Sequence, residues 1–199
     1  LLRERSHDGR IRDASLDGLI REVIVPAIGR PSPAIRHLGV TCFGLACLAD
    51  RDLAVDNFFL FSQIVVHDTP LIRATALSIL LDIMLLFDLS VVSFHDHADV
   101  CEKPVLDSAI SMVESCLDNN QLLRPLCVEG LLKLVHAGVA PEKHANWCAR
   151  LLVEAFSRWK SEDTGRRIRG AVTILFSEIS KKSTSGWNSV SSADVKGVL

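Results

Sequence analysis

One five-residue phrase occurs twice in this chain. Ser32-Pro33-Ala34-Ile35-Arg36 returns as Thr69-Pro70-Leu71-Ile72-Arg73, at an offset of 37 residues. The correspondence runs on through the following positions: Val40 aligns with Leu77, Thr41 with Ser78, Cys42 with Ile79, Phe43 with Leu80 and Ala46 with Ile83. Self-similarity at a period of about 20–50 residues marks stacked units, because each is too small to bury its apolar face alone. The Ile-Arg or Leu-Arg dyad returns more loosely at Leu123-Arg124 and Ile168-Arg169.

Each part of the phrase has a physical role. Ser or Thr before Pro predicts a helix start, since the hydroxyl can cap a free N–H and Pro has none to lose at the first helical position. Ile35, Leu38, Cys42, Leu45 and Ala49 step by three and four, which predicts the buried face of a helix. Ile72, Ala76, Ile79, Ile83 and Leu86 predict the same one repeat later. The Arg lies off that stripe, near the turn, where an acid or carbonyl of a neighbouring repeat is within reach.

The periodicity predicts helices over about 12–28, 33–49, 53–66, 70–88, 104–117, 122–137, 141–159 and 164–182. The first carries a stripe of Leu16, Leu19, Ile20, Val23 and Ala27, and Gly138 and Pro141 mark a turn after the sixth. Gly39, Gly44 and Gly130 fall inside predicted helices, where small residues let neighbours pack closely. No stretch alternates with period two. The expected fold is all-α, a HEAT-type α-solenoid of about four stacked antiparallel helix pairs. It occupies residues 1–182, and 183–199 form a flexible or short helical C-terminal tail.

Composition narrows the class. Hydrophobic residues make up 48% of the 199, with no Tyr, which suits aliphatic helices covered on two sides. The most apolar stretch, 74–89, is interrupted by Asp82 and Asp88 and is expected to be a core helix rather than a membrane span. The polar first residues lack a signal-peptide core, and the chain is expected to be a piece of a longer protein. A formal charge of −2 gives no global attraction to nucleic acid, so any such binding needs a local patch. None of the six cysteines forms a CxxC pair, and a reducing, intracellular setting fits better than a disulfide framework.

Three sets of residues are candidates for chemistry. His95, Asp96, His97, Asp99 and Cys101 are metal-ligand types packed closely, and His67-Asp68 is a second His-Asp pair. Together they invite comparison with all-α metal phosphohydrolases. The simpler expectation is a solvated loop and a helix-capping Asp, with no metal, no cofactor and no catalytic residue. The cysteines have no evident His or acid partner and are expected in the core. The third set is basic: Arg166, Arg167, Arg169, Lys181 and Lys182, with Lys160 nearby, and Arg3, Arg5, Arg10 and Arg12 at the start. Such clusters can hold DNA phosphates without reading sequence, and the first five are the candidate DNA-binding residues.

The run Val25-Pro26-Ala27-Ile28, Arg30-Pro31-Ser32-Pro33-Ala34-Ile35-Arg36 and Leu38 through Leu48 resembles the C-terminal HEAT domain of the condensin G subunit, the chromosome-associated protein G family. The likeness continues through Asp68–Leu77, with Phe43 and Ala46 departing from the family's flow. The resemblance implies a non-enzymatic condensin subunit of the nucleus and chromosome, cytoplasmic in part of the cell cycle, acting in mitotic chromosome condensation. It implies binding to the kleisin subunit, through it to the SMC ATPase pair, and to double-stranded DNA. Much of that family's kleisin- and DNA-holding surface lies N-terminal to this domain, so no site residue is carried over. No membrane or small-molecule substrate is expected. The other binding-class alternative is a cohesin-associated or nuclear-transport adaptor.

Overall fold

The computed structural model describes residues 14–87, 105–140, 143–157, 159 and 161–194, with side chains described as far as Lys181. Among these residues every regular element is helical. The chain is all-α, as the repeat predicts. Its elements are α1 (Ala14–Leu19), a π-turn (Ile20–Ile24), α2 (Val25–Ile28), α3 (Pro33–Ala49), α4 (Arg51–Asp56), α5 (Phe58–His67), α6 (Pro70–Leu86), α7 (Val105–Asn119), α8 (Arg124–Ala137), α9 (His144–Phe156) and α10 (Glu162–Asp194). They sort into two compact units that divide at Gly130, within α8.

Local chemistry explains the interruptions. Pro26 has no N–H and crowds the carbonyl four residues back, and the π-turn that precedes it widens the helix there. The helix expected over 53–66 is broken at Asn57, whose side-chain amide donates to the Leu53 carbonyl at 2.9 Å and competes with the ladder. The repeat-defining helices α3 and α6 start at Pro33 and Pro70, as expected, but neither the Ser32 nor the Thr69 hydroxyl caps. Asp68 Oδ1 instead accepts the Thr69 N–H at 2.7 Å, and Asp50 Oδ1 accepts the Leu53 N–H at 3.1 Å at the start of α4. α8 ends in a Schellman turn. Gly138 at φ 78° donates to the Val135 carbonyl and Val139 to that of Leu134.

In the first unit α6 is the central helix, packed on α3 and α5. Ile72, Ala76, Ile79 and Ile83 are buried as the spacing predicts, whereas Leu86 is exposed. α3 corrects the expectation. The buried residues are Gly39, Val40, Phe43, Gly44 and Cys47, and the predicted face is outside: Ile35 is 46%, Leu38 65% and Leu45 64% exposed. Val40, Phe43 and Cys47 also step by three and four, so α3 is apolar on two sides. The positions of its neighbours decided which side is covered. Phe43 stacks on Phe61 of α5 at a centroid distance of 5.7 Å. In the first helix only Ile20 of the expected stripe is buried, and Leu19 and Val23 are exposed.

The interior glycines do allow close packing. A methyl at Gly39 would meet the Ile28 backbone nitrogen at 2.9 Å, and one at Gly130 would run into Leu81. The second unit is built around Trp147 of α9, which is fully buried, with Leu151 beside it and Ile168, Val172 and Leu175 from α10. Trp159 closes the end of α9 by donating its indole N–H to the Glu154 carbonyl at 3.0 Å. α10 continues through 183–194, within the stretch 183–199 expected from sequence to be a flexible or short helical tail.

Candidate functional site

The Arg of the repeated phrase does reach a neighbouring turn. From the first turn of α3, Arg36 donates Nε to Asp68 Oδ2 at 3.1 Å and Nη2 to Asp68 Oδ1 at 2.8 Å, a two-pronged ion pair. Its Nη1 donates to the carbonyls of Arg30 and Pro31 at 3.1 and 2.8 Å. One guanidinium therefore ties the turn before α3 to the turn before α6. One repeat on, Arg73 donates Nε to the Val65 carbonyl at 2.6 Å. His37 of α3 and Thr75 of α6 add a contact at 3.0 Å between the same two helices. These polar ties set the repeats in register where apolar packing alone permits sliding.

The ion pair has a pH signature. The Arg36 hydrogen bonds, then that from the Thr69 N–H, hold the Asp68 carboxyl below the usual carboxylate range against an opposing desolvation. A carboxyl lowered by folding stabilises the fold fully above its unfolded value, and that contribution is lost as pH falls through the lowered value. Asp68→Asn is therefore expected to lower the melting temperature at pH 7, with the gap to wild type closing in acid. Melting curves taken from pH 7 down to pH 2 test this. A constant gap across the series removes Asp68 from the account.

A second cluster joins α6, α7 and α8. A hydrogen bond from the Cys127 thiol, helped by the charge of Arg73 and opposed by burial, lowers Cys116 to about 7. Cys127 is fully buried, and its bond to Cys116 pushes it up. Cys116 is partly exposed, so it is expected to alkylate with a midpoint near pH 7. At neutral pH it should react about fivefold faster than an ordinary thiol, its larger thiolate fraction being partly offset by the lower nucleophilicity of a more acidic thiol. Cys127→Ala should move that midpoint upward, and an unchanged profile, read by peptide mapping after timed iodoacetamide exposure, refutes the coupling. The sequence held no signal for this pair, because the two cysteines meet only when α7 packs on α8, and Arg73 is distant in the chain.

The basic candidates lie on the outer side of α10. Arg166, Arg167 and Arg169 are exposed in its first turns, and Lys181 is exposed further on. At 1.5 Å per residue Lys181 lies about 22 Å along the axis from Arg166, too far for one local patch. The side chain of Lys182 lies outside the described residues, as do Lys160 and the Arg3, Arg5, Arg10 and Arg12 group. Arg166 approaches Glu162 and Asp163 at 3.6 Å each, with all three side chains at least 70% exposed. Such solvated pairs are weak and leave the guanidinium available to a stronger anion. Arg169 is folded back: its Nη1 and the Trp159 ring both crowd Gly165.

The metal-type cluster of His95, Asp96, His97, Asp99 and Cys101 lies outside the described residues. Asp68, from the second His-Asp pair, is occupied by Arg36 and Thr69. Among the described residues no three His, Cys, Asp or Glu side chains are grouped to hold a metal ion, and no helix is long and apolar enough to cross a membrane.

Helices stacked at a fixed repeat and tied turn to turn by side chains define a helical-repeat protein. The chain belongs to the family described as nuclear condensing complex subunits, C-terminal domain, whose model matches residues 2–190. It is similar to condensin complex subunit 3 of Saccharomyces cerevisiae, 33% identical over 126 residues that cover 61% of this chain and 11% of that protein. It is also similar to condensin complex subunit 3 of Homo sapiens, 26% identical over 182 residues that cover 82% of this chain and 18% of that protein. The chain thus spans less than a fifth of the length of either relative.

Proposed function

We propose that this chain is part of a non-catalytic condensin subunit, acting in chromosome condensation by holding other molecules on its helical surfaces. The family match along nearly the whole chain carries this reading. The repeated helices supply the means, because stacked pairs present long surfaces and flex along their length. The partners are the kleisin subunit, through it the SMC ATPase pair, and double-stranded DNA. Its place is the chromosome in the nucleus, with a cytoplasmic phase in the cell cycle. The DNA contact is assigned to Arg166, Arg167, Arg169, Lys181 and Lys182. These residues hold phosphates by charge and read no sequence.

Titration of this chain against the kleisin subunit, with and without duplex DNA at two salt concentrations, tests the reading. Binding is expected to depend on kleisin, with a DNA component that weakens as salt rises. Reversing Arg166, Arg167 and Arg169 to Glu should reduce the slope of log affinity against log salt by roughly 3, about one for each lost phosphate contact. An unchanged slope removes α10 from the DNA contact, and absence of kleisin binding removes the partner assignment.

A further inference from the structure

The two repeat arginines each work in two directions. Arg36 reaches back to the Arg30 and Pro31 carbonyls before its own helix and forward to Asp68 in the turn before the next. Arg73 reaches back to the Val65 carbonyl, and in the forward direction its charge acts on Cys116 in the last turn of α7. Setting Leu123-Arg124 against Ile72-Arg73 puts Asn119 where Asp68 stands, so the forward carboxylate becomes a neutral amide. Cys116 lies one turn before that amide. The cation that meets a carboxylate in one repeat meets a thiol in the next.

Cys116 has a second neighbour of its own kind. Cys127, in the first turn of α8, shares a hydrogen bond with it. The turn between them is held by side chain and backbone together. Asn120 Oδ1 accepts the N–H groups of Leu122 and Leu123 at 3.1 and 3.2 Å, and the Arg124 N–H donates to the Asn120 carbonyl at 2.9 Å. The two thiols differ in access: Cys116 is partly exposed and Cys127 is fully buried. An oxidant arriving from solvent therefore meets Cys116 first, and Cys127 can react only with what Cys116 becomes. A disulfide bond is about 2.05 Å long, so thiols already in hydrogen-bond contact need a small further approach. An accessible, readily ionised thiol beside a second thiol that can resolve its oxidised form is the arrangement of redox-sensing cysteines.

We propose that Cys116 and Cys127 are a peroxide-responsive pair whose reversible disulfide staples α7 to α8. The Cys116 thiolate attacks one oxygen of hydrogen peroxide and the O–O bond breaks. Hydroxide leaves beside the Arg73 guanidinium and takes up from solvent the proton that Cys116 had released, giving water. The Cys127 sulfur then attacks the sulfenic acid left on Cys116. The S–S bond forms, the S–O bond breaks, and the departing hydroxyl carries off the Cys127 proton as a second water. The two thiols lose two electrons and the peroxide gains them. A thiol reductant reverses the bond by exchange, so the staple is transient in a reducing setting. While it lasts it fixes one helix hairpin in a stack that otherwise flexes along its length.

The full chain, reduced and freed of reductant, is treated at low protein concentration with a few equivalents of hydrogen peroxide and mapped by mass spectrometry without reduction. A peptide pair joined through Cys116 and Cys127 is expected, and dithiothreitol should abolish it. Cys42, exposed on α3, is the internal reference. Cys116 should oxidise about fivefold faster than Cys42 or more. Cys127→Ser should halt the sequence at a Cys116 sulfenic acid that dimedone traps. Arg73→Gln should slow Cys116 oxidation by about threefold, with Arg73→Lys restoring most of the rate. Oxidation of Cys116 no faster than that of Cys42 overturns the proposal in the wild-type chain alone, whatever the variants do. Cys116 sulfinic acid with Cys127 still reduced also overturns it, as does a disulfide found only between separate chains.

Discussion

Phe43→Ala is expected to destabilise this chain by about 3–5 kcal/mol, whereas Leu45→Ala, two residues along the same helix, should change stability by less than about 0.5 kcal/mol. Phe43 is 1% exposed and stacks on Phe61, so truncation leaves a cavity at the junction of α3 and α5. Leu45 is 64% exposed and gives up almost no buried area. Small domains have total stabilities of about 5–15 kcal/mol, so the first loss approaches outright unfolding. Urea unfolding of both variants tests the orientation of α3. Comparable losses at the two positions would mean that the helix is turned to bury the other stripe.

Gly44→Val is the second large effect, expected to cost about 2–3 kcal/mol from overpacking. A first side-chain carbon at Gly44 would collide with both the Cδ1 and Cγ1 atoms of Ile79 and lie 3.2 Å from Cγ2. Ile79 is stiff at χ1 and cannot swing clear without abandoning its own packing. The replacement does improve helix propensity, but only by a few tenths of a kcal/mol, too little to offset the collision. Ile79→Ala removes the colliding atoms. The double variant should therefore lose less than the sum of the two single losses, by about 1–2 kcal/mol in a mutant cycle. Strict additivity would mean that α3 and α6 do not meet at this point.

Some of this protein was legible in its chain chemistry. The offset phrase placed the starts of α3 and α6, because Pro at a first helical position acts locally and needs no neighbour. The ties made by Arg36 and Arg73 were also foreseeable in kind: an Arg placed off the apolar stripe beside a turn has acids and carbonyls within reach. The buried side of α6 followed from spacing, since helix, repeat and core agree there. The basic residues of α10 were visible as a cluster, though only the helix axis showed that Lys181 lies about 22 Å from Arg166.

What escaped the sequence was every choice between locally equivalent options. α3 offers two apolar stripes, and spacing cannot rank them; the close approach of α2 at Gly39 and of α6 at Gly44 decided the matter. The pairing of Cys116 with Cys127 beside Arg73 likewise exists only once α6, α7 and α8 are assembled. Sequence by itself determined that the chain is helical, that it repeats and where its principal helices begin, because these depend on hydrogen bonding and side-chain spacing within a few turns. Tertiary structure alone decided which apolar face is core and which is left open, because burial belongs to the neighbours a helix meets.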